Sequence, residues 1–120
     1  MADKRRSKMK MLSITRNNDF LRLYRRGKCL TDPNVIIYIL PNNLDRIRLG
    51  LTTSKKIGNA VARCRARRVL RAAFREIQPG FIRGYDIILV ARTKTTVIKS
   101  TALTPILTAQ FQKLGALQSN

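Results

Sequence analysis

Residues 49–76 read LGLTTSKKIGNAVARCRARRVLRAAFRE, and the hydrophobic period changes inside them. The stretch opens in a strand. Residues 46–53 alternate strictly, with Arg46, Arg48, Gly50 and Thr52 on one side and Ile47, Leu49, Leu51 and Thr53 on the other, the pattern of a half-buried strand. From about Asn59 to Glu76 the spacing becomes helical: Ala62, Ala66, Val69, Leu70 and Ala73 share one arc, with Phe74 at its edge. The small alanines allow that arc to approach a sheet closely. A strand that feeds such a helix predicts an α+β domain.

The opposite arc of this helix poses a problem of charge. Residues 55–75 carry eight Lys or Arg and no Asp or Glu. Arg63, Arg67, Arg71 and Arg75 stand at successive i,i+4 steps, where each like-charge pair costs roughly 0.2–0.5 kcal/mol. A merely solvated face would mix signs. A polyanion resolves the repulsion, because each guanidinium can fork onto phosphate. The whole chain agrees: 25 basic against 6 acidic residues give a net charge of +19 on 120 residues, which points to nucleic acid. Lys55, Lys56 and Asn59 precede the helix, where free backbone N–H groups also favour anions.

Several classes are disfavoured by what the chain lacks. There is no His for proton transfer or metal ligation, and Cys29 and Cys64 make neither a disulfide framework nor a zinc site. The six acids are scattered rather than clustered as in a two-metal nuclease. No apolar run approaches the ~20 residues that span a bilayer. The basic start MADKRRSKMK leads into no apolar signal region, so the chain reads as unexported and cytoplasmic, although a mitochondrial presequence would share its acid-poor character.

Outward from the central stretch, the pattern predicts a basic N-terminal arm over residues 1–13, a single domain over 14–117 and a tail over 118–120. A short helix covers residues 15–26, with Phe20, Leu23 and Tyr24 at i, i+3, i+4 and Gly27 at its end. The apolar run VIIYIL, residues 35–40, reads as a strand that forms a hairpin with residues 46–53 through Pro41-Asn42-Asn43. Residues 85–91 are another strand. Thr104-Pro105 reads as the N-cap and first position of a last helix, with Leu107, Phe111 and Leu114 inward. The order is α-β-β-(β)-α-β-α, a two-layer α/β sandwich with room for one more short strand.

Because both sides of the run at 35–40 are apolar, something must cover its second face, and the first and last helices are the candidates. Partial cover leaves a groove lined by Phe20, Tyr24, Ile36 and Tyr38, with Arg48 alongside. Aromatic platforms beside an arginine suit an unpaired strand of nucleic acid, while plain core packing of the same residues is an equal reading of the pattern.

The stretch LGLTTSKKIGNAVARCRARRVLRAAFRE closely resembles the signature of the bacterial ribonuclease P protein component, and DFLRLYRRGK, VIIYIL and YDIILVAR fall in that family's order. The resemblance covers about residues 12–115. It implies a left-handed βαβ crossover through the helix that starts near Asn59, against the general right-handed rule. It also implies function: an RNA-binding subunit that assists a catalytic RNA in endonucleolytic removal of the 5′ leader from precursor tRNA, with magnesium held mainly by the RNA and no protein partner required. Carried onto this chain, Lys55, Lys56, Asn59, Arg63, Arg65, Arg67, Arg68 and Arg71 meet the catalytic RNA, and Phe20, Tyr24, Ile36 and Tyr38 hold the leader. No catalytic residue is expected on the protein. A ribosomal or RNA-chaperone protein would share the charge and size without affecting tRNA cleavage.

One departure stands out. The family's Arg-Asn-Arg is Arg63-Cys64-Arg65 here. Cys64 lacks the amide that donates and accepts hydrogen bonds, a loss of about 0.5–1.5 kcal/mol if nothing replaces it. Set among arginines it could be a reactive thiol shielded by RNA, or an inert replacement.

Overall fold

The computed structural model describes residues 10–117. A five-stranded sheet of order β1-β4-β5-β3-β2 forms its centre, built from β1 (Lys10–Ser13), β2 (Lys28–Thr31), β3 (Val35–Pro41), β4 (Arg46–Thr52) and β5 (Tyr85–Ala91). Three α-helices accompany it: α1 (Asn17–Arg26), α2 (Ala60–Ile77) and α3 (Ser100–Lys113). Among the described residues no helix is long and apolar enough to cross a membrane.

β5 takes the middle because it alone is buried along nearly its whole length on both sides. Tyr85, Ile87, Leu89 and Ala91 join the main core, while Ile88 packs on the other face with Ile14 and Leu23. Such a run belongs between two neighbours. It lies antiparallel to β3 and parallel to β4. The expected hairpin between β3 and β4 is therefore not formed; β5 sits between them, and the loop after Pro41 carries the chain past its place. Alternation in β4 is as read, with Ile47 and Leu49 buried.

The sheet is also longer at both ends than the pattern suggested. β1 pairs parallel with β4, so the last four residues of the stretch read as a basic arm belong to the sheet. The rest of that arm and the tail at 118–120 lie outside the described residues. The extra short strand precedes β3 as β2, with which it makes an antiparallel pair. β4 and β5 are joined through α2, the parallel β-α-β connection that the family resemblance implies.

α2 and α3 cover one face. Ala66, Val69, Leu70, Ala73, Phe74 and Ile77 are buried on α2, the expected arc extended by one turn. Phe74, Phe81 and Phe111 close the core with ring centroids 5.1–6.0 Å apart. α3 begins at Ser100, a turn before the expected start, and Pro105 sits inside it. The carbonyl that Pro105 leaves without a donor is that of exposed Thr101, which water can reach. Leu103, Leu107 and Phe111 point inward and Leu114 is partly buried. The last helix thus packs with α2, and among the described residues only α1 crosses the second face.

Candidate nucleic-acid interface

Asn59 starts α2: its backbone is extended and its side-chain oxygen accepts from the Ala62 N–H at 2.9 Å. Gly58 before it has φ +142°, a conformation that favours glycine. Lys55 and Lys56 form an exposed 3-10 turn just upstream. The three residues that the sequence assigned to RNA here therefore differ in kind, since Asn59 is a helix cap while the two lysines are exposed charges.

Along α2 the arginines are spread over the outer surface. Arg63 donates to the Gly58 carbonyl at 3.2 Å, Arg65 to the Thr96 carbonyl at 2.8 Å, and Arg67 to the Thr53 hydroxyl at 3.1 Å. Arg68 and Arg71 are exposed. Among the described residues the ion pairs join only Arg22 and Arg48 to Asp19 and Asp86, so this row of charge meets no carboxylate. Cys64 is half-buried beside Val61, Arg65, Arg68 and Val69.

The aromatic groove lies across the sheet from that row. α1 carries Phe20 and Tyr24 onto the second face, with ring centroids 6.5 Å apart, and Tyr24 stands edge-on to Tyr38 at 4.8 Å. Tyr24 remains 42% exposed and Ile36 and Tyr38 are half-buried. Phe20 fits because β4 has a glycine beneath it: a Cβ on Gly50 would come within 2.8 Å of the Phe20 ring. Gly27 allows α1 to end close to β3, since its Cβ would meet the Leu23 and Ile39 carbonyls at 2.7 and 3.0 Å. The Tyr38 phenol is held above its ordinary range by a hydrogen bond with Cys29 and by burial.

Arg48 does not stand free beside these rings. Its Nε and Nη2 donate to the two oxygens of Asp86 at 2.7 and 2.5 Å, and Asp19 lies 3.4 Å away. Asp86 is fully buried and also accepts from Arg22 at 2.8 Å and Asn42 at 2.9 Å. Burial alone would raise this carboxyl; the hydrogen bonds from Arg48 and Asn42 and the charges of Arg48 and Arg22 outweigh it and hold the group below the usual carboxylate range. Arg48 lines a separate cleft with Asp19, Arg22, Arg26 and the loop after β3. Pairwise spacing in the sequence gave no sign of Asp86, because its partners lie 38 to 64 residues away.

A five-stranded sheet with an arginine helix that meets no carboxylate on one face and a partly accessible aromatic row on the other defines an α+β RNA-binding protein. The model of the ribonuclease P protein family matches residues 9–115. A ribonuclease P protein component from Pelotomaculum thermopropionicum is 45% identical over 92 residues, covering 76% of this chain and 82% of its own. That from Clostridioides difficile is 37% identical over 83 residues, covering 68% and 73%. The solved Staphylococcus aureus RNase P protein superposes with a TM-score of 0.77 at 28% identity over 88% of this chain and 97% of its own. The Thermotoga maritima RNase P protein shares the fold, with a TM-score of 0.74 at 24% identity over 84% and 96%. The chain belongs to the ribonuclease P protein family, the RNA-binding subunit of the holoenzyme that cleaves 5′ leaders from precursor tRNA.

Proposed function

We propose that the two faces of the sheet serve two RNAs. Lys55, Lys56, Asn59 and the outer face of α2, with Arg63, Cys64, Arg65, Arg67, Arg68 and Arg71, lie against the catalytic RNA. Phe20, Tyr24, Ile36 and Tyr38 hold the single-stranded 5′ leader. The observation that carries this reading is the separation itself: cations without carboxylate partners on one side, and a tilted, edge-on row of partly accessible rings on the other. Bases stack on the rings at about 1–3 kcal/mol each, which favours a leader-bearing precursor over a product that has lost its leader. The arginine row lowers the repulsion between two polyanions and with it the magnesium requirement.

Magnesium is assigned mainly to the RNA. The buried carboxylates are committed elsewhere, Asp86 to Arg48, Arg22 and Asn42, and Asp32 to Asn34 and Gln110. Among the described residues no three His, Cys, Asp or Glu side chains gather as metal ligands would. Arg48 is assigned to fixing α1 on the sheet rather than to a phosphate. The folded unit is taken as one domain from residue 10 onward, acting in the cytoplasm with RNA alone as its required partner.

The test is cleavage of a precursor tRNA at low magnesium by the protein, a bacterial ribonuclease P RNA, and both together. Cleavage in the mixture alone is expected. Tyr24→Ala should raise KM for a long-leader substrate by about tenfold, one lost stacking contact, and leave a substrate with a leader too short to reach the groove unchanged. Equal effects on both substrates would sink the leader assignment.

A further inference from the structure

The wall of the aromatic groove continues beyond β3. β2 is the outer strand on that side, and its register sets Cys29 beside Tyr38 and Thr31 beside Ile36. Cross-strand partners share a face, so Cys29 and Thr31 lie on the side that carries α1. The helix does not cover them: it ends at Arg26, Gly27 turns the chain into β2, and both residues are exposed. β2 gives the core little, since Leu30 is its one residue packed there. Tyr24, Tyr38 and Cys29 therefore form a row that runs from the helix to the sheet edge.

The charge around this strip has one sign. Arg25 and Arg26 stand exposed at its head. Asp32, the acid at its foot, is buried and accepts from Asn34 and Gln110. An outer strand also turns half of its backbone donors and acceptors away from its neighbour, and such groups can meet the edges of unstacked bases.

We propose that β2 is part of the RNA groove: Cys29 and Thr31 form a shelf for a further unpaired nucleotide of the strand held by Tyr24 and Tyr38, with its phosphate facing Arg25 and Arg26. This rests on the assignment of the aromatic groove to the leader. It makes the two cysteines reporters of opposite faces, Cys29 of the leader and Cys64 of the catalytic RNA.

The experiment treats the full chain, assembled with a ribonuclease P RNA, with N-ethylmaleimide and follows each cysteine by peptide mass spectrometry. A long-leader precursor tRNA should slow Cys29 alkylation about tenfold relative to mature tRNA, as an occupied stacking position implies. Cys64 should respond to the catalytic RNA and not to the leader. Equal Cys29 rates in both arms, where Tyr24→Ala still weakens leader-dependent binding, overturn the shelf and leave the aromatic groove in place. Equal rates together with an inert Tyr24→Ala overturn both. Cys29→Glu gives a second readout at an exposed position: about tenfold weaker binding of the long-leader precursor, with mature tRNA and the unfolding midpoint unchanged. Unaltered precursor affinity in that variant counts against the shelf.

Discussion

Asp86 shows how one side chain can set the form of a whole face. It is a fully buried carboxylate that accepts hydrogen bonds from Arg48, Arg22 and Asn42, and so ties β4, α1 and the loop after β3 to β5. Removing one partner of a buried pair typically costs about 3–5 kcal/mol; Arg48 is only partly buried, so Asp86→Asn should lose about 3 kcal/mol in urea unfolding. The acid limb should change with it. The folded carboxyl titrates below its unfolded value, so its contribution is complete above the ordinary range near ~3.9 and is lost as the pH falls through the depressed folded value. Stability of the Asp86→Asn variant should lack that loss. Gly50 makes a second test at this scale: Gly50→Ala drives a Cβ to within 2.8 Å of Phe20, and should cost about 1–3 kcal/mol while displacing the first ring of the groove.

At the scale of elements, α2 combines two requirements that the sequence displays openly. Its alanine and leucine arc and its arginine arc were readable because helical periodicity is local, and the structure buries the first as expected. Its ends, read as about Asn59 and Glu76, fall within one residue of the helix Ala60–Ile77. Asn59 read as an RNA contact, and its place in the structure is the N-cap; Asn59→Ala should lower stability by about 1 kcal/mol and Asn59→Ser should restore most of it. Arg67→Ala and Arg71→Ala should leave stability nearly unchanged, and each should reduce the slope of log affinity against log salt for the catalytic RNA by about one. A slope that ignores both would remove α2 from the interface. The strands were harder to place than the helix. β4 has a clear two-residue period and β3 is an unbroken apolar run, but which strands are neighbours depends on β5, far downstream along the chain, and no local pattern encodes that. β1 escaped notice because four residues of a lysine-rich stretch gain their strand character only from pairing with β4. The pairing of Arg48 was not legible for a similar reason, its partner Asp86 being remote in sequence.

For the whole molecule, the net charge is +19, while the ion pairs among the described residues are confined to the Asp19-Arg22-Arg48-Asp86 cluster. Affinity for the catalytic RNA should fall by ~10³–10⁵ between about 50 and 200 mM monovalent salt if six to ten phosphates are neutralised. A shallow dependence, measured by filter binding, would contradict the arginine row as the principal contact.

The central position of β5 also bears on how the chain is made. β1 with β4, and β2 with β3, are two separate halves of the sheet, and β5 is the only strand that touches both. Until residues 85–91 have left the ribosome, neither half has its partner, and β3 and β4 each expose an unpaired apolar edge. A nascent chain cut short before Tyr85 thus lacks the strand that joins β4 to β3, and carries a strong positive charge. Closure is a late, long-range event, which places this domain among the slower folders of its size and makes the growing chain dependent on its charge to stay apart from its neighbours.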